Sequence, residues 1–141
     1  MVFIDADVLF AGAAAGSQHS ASLVVLRMAE ITLIEAFTSQ QVIDECERNL
    51  SSKIPAALPA FHLLVSRCLQ IVPIPAAIEL SAYTKFADPK DLPILVAALR
   101  TNCTWLVTFN VRHIQPGHTQ VTVLKPGDFV LCVRELLVYL P

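Results

Sequence analysis

The sequence has no cluster of basic residues and no closely spaced pair of cysteines. Its 10 Lys and Arg are scattered and are outnumbered by 12 Asp and Glu, for a net charge of -2. It therefore lacks the strongly basic surface of tight nucleic-acid binders, although an enzyme that releases its substrate does not need one. The cysteines form no C-x-x-C motif and have no nearby His for a zinc site, so we expect reduced, mostly buried thiols at Cys46, Cys68, Cys103 and Cys132.

The sequence also lacks a long apolar run. None approaches the roughly 18 to 20 residues needed to cross a bilayer, and the first ten residues contain two Asp and no basic leader. We therefore expect a cytoplasmic protein that is neither inserted in a membrane nor secreted. The chain is nonetheless apolar, with 55% hydrophobic residues, 16% charged residues and a mean hydropathy of +0.59. For 141 residues this predicts a single domain over 1–141 with a buried sheet, and an apolar interface that favours a homodimer.

Short apolar runs alternate with segments of helical periodicity, and there is no internal repeat. The pattern predicts a helix capped by Thr38 and Ser39 and continuing through Leu50, a linker at 51–59 and a loop at 109–117. It predicts strands at 1–4, 32–37, 70–74, 105–108 and 121–124, and further helices at 20–31, 61–69, 92–99 and 127–140. This alternation predicts an α/β fold, a three-layer α/β/α sandwich with a central, mainly parallel sheet.

Acidic and amide side chains stand at or near the ends of these predicted strands. Asp5 directly follows the first strand, and Glu45 lies about one and a half turns into the helix after the second. Asp91 opens the helix at 92–99, and Asn110 follows the strand at 105–108 by two residues. Reactive groups of an open parallel sheet gather beyond the carboxyl ends of its strands. We therefore expect these side chains at one mouth, where their oxygen atoms suit Mg²⁺ or Mn²⁺.

Carboxylates gathered within a few Å of each other favour protonation unless a divalent ion neutralises them. Such an ion lowers the pKa of a bound water and stabilises negative charge on a phosphate. Phosphate contacts are predicted for Arg112, Arg48 and Thr108 near the acidic motifs, with Lys53, Lys85 and Lys90 as further basic neighbours. For each of these basic residues, ordinary solvated surface is an equally good interpretation.

The acidic residues also have structural interpretations. Asp88 followed by Pro89 is typical of a helix N-cap, with Asp91 as its capping-box partner or as the cap itself. From local sequence alone, capping is the commoner role at Asp91. Glu45 lies in an acidic first half of a helix, which ordinarily complements the helix dipole. Only Asp5 has little packing reason to be where it is.

The histidines do not predict a ligand set, because they are widely scattered in the sequence: His19, His62, His113 and His118. Only His113, next to Arg112, lies near the proposed mouth, and we interpret a phosphate contact there as the less common role. Asp7 either adds a negative charge where Asn110 has none or caps the helix that follows it, and we favour the cap.

Four segments together resemble the motifs of PIN-domain proteins. The opening segment 2–9, VFIDADVL, is similar to the first motif, and 42–50, VIDECERNL, to the acidic helix. The third and fourth motifs resemble 88–93, DPKDLP, and 106–110, LVTFN, and the family's last strand and helix resemble 123–129, VLKPGDF. Each motif is weak alone, but their order and spacing agree over nearly the whole chain.

The resemblance implies a metal-dependent ribonuclease, often the toxin of a toxin-antitoxin pair and often a dimer. Its implied partners are RNA and an antitoxin protein, and its cofactor is Mg²⁺ or Mn²⁺. On this basis Asp5, Glu45 and Asp91 are the metal-binding, catalytic acids. Asn110 is a weak fourth ligand at a position where many members carry Asp, which implies that a second metal ion binds weakly.

Two other functions remain open at this stage. Asp5-x-Asp7 after an apolar strand also resembles the nucleophile and acid of haloacid-dehalogenase-like phosphatases. Those enzymes need a later Lys and an acidic pair after a strand, whereas Asp88 and Asp91 precede a helix. The second alternative is a non-catalytic PIN-type module that binds RNA or a protein partner, which the neutral Asn110 favours.

Overall fold

A computed structural model of the chain describes residues 1–15, 20–115 and 120–140. Five parallel strands form one sheet in the order β3-β2-β1-β4-β5. Their bounds are β1 Val2–Ile4, β2 Ala36–Ser39, β3 Leu69–Val72, β4 Trp105–Val107 and β5 Thr122–Leu124. The described α-helices are α1 Ala6–Ala14, α2 Ala21–Glu30, α3 Gln40–Lys53, α4 Leu58–Cys68, α5 Ala77–Leu80, α6 Leu92–Arg100 and α7 Pro126–Val138. The predicted α/β sandwich with a parallel sheet is confirmed.

The first strand lies in the middle of the sheet. Phe3 of β1 pairs with Phe37 of β2 on one side and with Leu106 of β4 on the other. All three residues of β1 are buried, as expected for a strand covered on both faces. The strand order changes direction at β1, because β2 and β3 follow on one side whereas β4 and β5 lie on the other. The crevice beyond the carboxyl ends of β1 and β4 is the switch point at which such sheets bind ligands.

Helix α6 is the buried helix that the sequence predicts. Its residues from Ile94 to Ala98 are all buried, and it packs against β2 and β4. Helix α1 contacts α2, α3 and α4, helix α4 also contacts α2 and α3, and α7 contacts α2. No helix in the described ranges is long and apolar enough to span a bilayer.

The second strand begins four residues later than predicted. Helix α2 ends in a Schellman motif, in which Leu33 N–H donates to Met28 and Thr32 N–H donates to Ala29. Thr32 has a φ of 64°, in the left-handed region that normally favours Gly or Asn. The β-branched residues that suggest a strand from residue 32 therefore terminate a helix instead.

One other predicted boundary was wrong. The expected linker at 51–59 is mostly helical, because α3 continues to Lys53 and a 3₁₀ turn, Pro55–Ala57, leads into α4. The expected loop at 109–117 contains a 3₁₀ turn at Val111–His113, and its last two residues lie outside the described residues.

The cysteines are free thiols, as predicted. Cys46, Cys68 and Cys103 are buried and Cys132 is partly buried. Burial raises the pKa of Cys46 to about 12 and that of Cys103 to about 11. These thiols are therefore protonated and unreactive at neutral pH.

Candidate active site

Asp5 lies at the centre of the carboxyl edge, between β1 and α1. It is the N-cap of α1, where its Oδ1 accepts a hydrogen bond of 2.7 Å from Ala6 N–H. Its Oδ2 accepts a hydrogen bond of 2.8 Å from the Thr108 hydroxyl at the end of β4. The side chain is only 5% exposed. Asp5 therefore has a structural role as a cap in addition to any chemical role, and both oxygens are held in place.

Asp7 was predicted to cap the following helix, and this prediction was wrong because Asp5 is the cap. The Asp7 carboxylate instead crosses to the loop after β4, where Oδ2 accepts from Phe109 N–H at 3.1 Å and from Thr108 Oγ1 at 3.4 Å. Its Oδ1 is buried and has no hydrogen-bond partner in the part of the chain that the structure describes. The interpretation as a simple cap therefore missed a candidate ligand.

Thr108 orients these carboxylates from a buried position. It is fully buried, and its Oγ1 donates to Asp5 while accepting from Asn110 N–H at 3.0 Å. A contact between Thr108 and a substrate stays a prediction, and in this structure its hydroxyl is bonded to Asp5 and Asn110. Asn110 begins the 3₁₀ turn at Val111–His113, so its bond to Thr108 holds the turn beside the crevice.

Asp91 occupies the N-cap position of α6 but does not cap it. Its side chain makes no capping hydrogen bond, and its Oδ2 is buried without a partner among the described residues. Asp88 does not cap the helix with its side chain either, because its carboxylate binds His113 Nδ1 at 2.6 Å. The capping interpretations of both residues were therefore wrong. Asp91 is 7% exposed, and a buried carboxylate oxygen without a partner suggests that a ligand satisfies it.

The pKa of Asp5 is raised from its usual 3.8 to about 7. Burial is the largest cause, and the negative charges of Asp7 and, to a lesser extent, Asp91 act in the same direction. The hydrogen bonds from Ala6 and Thr108 oppose this increase. Without a counter-ion, Asp5 is therefore only partly ionised at neutral pH.

Burial and nearby charges also shift the pKa values of the neighbouring acids. Burial raises the pKa of Asp7, and the negative charge of Glu45 raises it further. Burial also raises the pKa of Asp91, against the opposing effects of Lys90 and, when it is protonated, His113. These like-charge interactions link four residues, which we call the acidic pocket: Asp5, Asp7, Glu45 and Asp91.

The chemistry of the acidic pocket suits a divalent cation, although no three of its four carboxylates, all of them among the described residues, offer ligand atoms that all lie within 4.8 Å of one another. Asp7 and Asp91 each present a buried oxygen that lacks a partner within the described ranges. Burial, with repulsion from Asp7 and Asp91 added to it, raises the pKa of Asp5, and a cation would relieve this cost of ionisation. All four donors are carboxylates, the hard ligands that Mg²⁺ and Mn²⁺ prefer. Asp7 was not among the predicted ligands, although its position two residues after Asp5 in the same motif was a signal for it.

The predicted basic contacts are exposed. Arg48 is exposed on α3, close in sequence to Glu45. Arg112 is exposed beside Asp88 and His113, at an open depression of about 410 Å³ that Lys85 also lines.

A histidine also joins this edge of the sheet. One ligand atom each of Asp88, Asp91 and His113 lies within 4.8 Å of the other two. The sequence did not predict this group, because His113 and Asp88 are 25 residues apart and become neighbours only through the fold. His62 pairs with Glu47 elsewhere, whereas His19 and His118 lie outside the described residues.

The fold is thus a parallel α/β sandwich with an acidic pocket at its switch point. Residues 1–112 match the sequence profile of the PIN domain, and the chain belongs to the PIN domain family. Among solved structures it is similar to Mycobacterium tuberculosis VapC20, described as a sarcin-ricin loop cleaving toxin, with 15% identity and a TM-score of 0.53. The match covers 75% of this chain and 87% of that one. No curated protein matches this chain significantly.

Proposed function

We propose that this protein is a divalent-metal-dependent endoribonuclease that hydrolyses RNA phosphodiester bonds. The observation that carries the proposal is the acidic pocket, in which buried carboxylates repel one another and two oxygens lack partners among the described residues. Asp5, Glu45 and Asp91 are the catalytic acids that hold Mg²⁺ or Mn²⁺, with Asp7 beside them. The bound ion supplies an activated water and charge stabilisation at the phosphate.

The side chains of this chain fix the geometry of that chemistry. Thr108 and Ala6 each donate to one oxygen of Asp5, so its carboxylate is oriented before metal binds. Arg48 and Arg112 are exposed and free to approach the phosphates of a single strand laid across the crevice. Because the chain carries no dense basic surface, we expect weak binding of RNA and ready release of products.

The biological role proposed here is that of a cytoplasmic toxin controlled by an antitoxin protein. Membership of the PIN domain family and the fold shared with the VapC20 toxin support it. The protein is proposed to be a homodimer with one domain per chain. Support comes from the apolar end of α7 and the residues after it, where Leu136, Val138, Tyr139 and Leu140 are all exposed.

The test is cleavage of a labelled single-stranded RNA by purified protein, with Mg²⁺, with Mn²⁺ and with EDTA. Metal-dependent cleavage is expected, and cleavage that EDTA leaves unchanged would contradict the proposal. A second candidate is a non-catalytic PIN module, which the neutral Asn110 favours. It predicts RNA binding without cleavage under any metal. Membership of the PIN family argues against the phosphatase alternative.

A further inference from the structure

Two loops are joined at the carboxyl edge of the sheet by backbone hydrogen bonds. Asp88 N–H donates to His113 at 2.9 Å, and Gln115 N–H donates to Phe86 at 2.7 Å. Between them, Ala87 forms an antiparallel bridge with Ile114. These bonds place the side chains of Asp88 and His113 next to each other, with Nδ1 and Oδ2 2.6 Å apart. The backbone hydrogen bonds between the two loops therefore keep Asp88 and His113 close together.

Asp91 completes this group from the start of α6. It offers a ligand atom within 4.8 Å of those of Asp88 and His113, although it is buried and they are exposed. Its Oδ2 has no hydrogen-bond partner in residues 1–15, 20–115 and 120–140, and the side chain leaves the helix uncapped. A buried carboxylate that neither caps nor pairs, facing a carboxylate and an imidazole, is the arrangement expected of a ligand set.

We propose that Asp88, Asp91 and His113 form a second divalent-cation site beside the acidic pocket, one that takes a transition-metal ion such as Mn²⁺ in preference to Mg²⁺. The preference follows from the imidazole nitrogen, which suits transition metals, whereas Mg²⁺ demands oxygen ligands. Asp91 belongs to both sites and can offer one oxygen to each. The inference deepens the proposed function and rests on it only through this shared residue.

The charges and dimensions suit such an ion. Two carboxylates and a neutral imidazole carry a charge of -2, which one divalent cation neutralises. Ligands about 2.1 Å from an ion are about 3 Å from each other, so a group already within 4.8 Å closes on it with small side-chain movements. The open depression of about 410 Å³ beside Asp88 and His113 gives access to the ion and to water. The neutral amide of Asn110 cannot balance the charge of a second ion. The carboxylate of Asp88 can, and the imidazole of His113 adds a further ligand.

The competing interpretation is a simple ion pair between Asp88 and a protonated His113. Their side chains are 51% and 47% exposed, and exposed pairs contribute little stability. That interpretation accounts for the 2.6 Å contact, but it does not require the buried Asp91 to offer a third ligand atom within 4.8 Å of both partners. The chain offers a matched control, because His62 forms an exposed pair with Glu47 at 3.1 Å.

The test is electron spin echo envelope modulation of Mn²⁺ added to the full chain without RNA. This measurement detects an imidazole nitrogen bound directly to the ion. We expect the nitrogen signal in the parent and in His62→Ala, and its loss in His113→Ala together with a fall of about tenfold or more in Mn²⁺ affinity at one site. Asp88→Asn keeps the imidazole and is expected to lower the Mn²⁺ affinity of the same site. It is the variant to measure if His113→Ala does not fold.

The outcomes separate this inference from the proposed function. Absence of the nitrogen signal from the parent, or its persistence in His113→Ala, overturns the site even if the protein cleaves RNA. A nitrogen signal that His113→Ala removes supports the site even if the parent cleaves no RNA, and in that case it is the nuclease proposal that fails. Asp5→Asn should retain the signal, because Asp5 belongs to the acidic pocket alone.

Discussion

The hydroxyl of Thr108 donates a hydrogen bond of 2.8 Å to the carboxylate of Asp5, and so joins β4 to β1 at the switch point of the sheet. The same oxygen accepts from Asn110 N–H and lies 3.4 Å from Asp7 Oδ2. One buried threonine thus connects two carboxylates of the acidic pocket to the turn after β4.

The first prediction concerns the replacement of Thr108 by Val, which removes this hydroxyl and preserves the shape of the side chain. We expect a loss of about 1–3 kcal/mol in the free energy of unfolding, because a buried carboxylate and a backbone N–H lose their partner. The pKa of Asp5 should rise further, since the lost hydrogen bond lowers it. Chemical denaturation measures the loss. Thr122→Val, at an exposed position of β5, is the control, and an equal effect in both variants would contradict the prediction.

The second prediction is that Asp5→Asn stabilises the metal-free protein at neutral pH. The folded state raises the pKa of Asp5 from 3.8 to about 7, so ionisation opposes folding. The contribution of Asp5 to stability is complete below about pH 4 and is lost as the pH rises to about 7. The neutral amide removes this penalty, which amounts to at most about 4 kcal/mol, while Asn can still accept from Ala6 and donate to Thr108.

Denaturation in EDTA at pH 4 and pH 8 measures this difference. The variant should match the parent at pH 4 and exceed it at pH 8. A variant that is less stable than the parent at pH 8 would contradict the raised pKa of Asp5, because it would show that folding favours the ionised carboxylate.

The third prediction is that Asn110→Asp tightens divalent-cation binding and accelerates cleavage. Asn110 is held beside the pocket by its hydrogen bond to Thr108, and a carboxylate there would offset the charge of a cation as an amide cannot. Calorimetric titration of Mn²⁺ should show an affinity about tenfold higher. Unchanged affinity and rate in a folded variant would mean that the Asn110 side chain serves only the turn at Val111–His113.

The fourth prediction concerns self-association through the apolar end of α7. Val138 is 71% exposed, so Val138→Lys should leave the fold intact and weaken a dimer by placing a charge in its interface. Light scattering at micromolar concentration should report a dimer for the parent and a monomer for the variant. Ile78→Lys is the control, because Ile78 is an exposed apolar residue on α5. A monomeric parent would contradict the prediction.

The elements that the sequence predicts best are those with continuous apolar runs. The segment at 2–4 and helix α6 are buried through nearly their whole length, so composition alone identifies them. The start of β2 could not be predicted from an apolar run. Thr32 adopts a left-handed conformation because the Schellman motif of α2 requires it, whereas its β-branched side chain suggests a strand.

The site could be predicted only in part. The sequence shows which residues follow a strand, but it does not show which groups their side chains will bond to in the folded protein. Asp5 was identified by its place at the end of β1. The interpretations of Asp7 and Asp88 as caps failed because their partners, Phe109 N–H and the ring of His113, come from distant parts of the chain. Local rules assign a carboxylate to the nearest helix, and only the fold shows whether another donor is closer.

Whether the acidic pocket is catalytic is tested by the rate of RNA cleavage by Asp5→Asn and Asp91→Asn, with Mn²⁺, relative to the parent. Glu35→Gln is the matched control, because Glu35 is exposed and precedes β2, at the opposite end of the strands from the pocket. Both pocket variants should lose on the order of a hundredfold or more in rate, since an amide holds the metal and its water more weakly. The loss at Asp5 cannot be attributed to unfolding if that variant is the more stable protein. Full activity in both folded variants would contradict the assignment of catalysis to the acidic pocket.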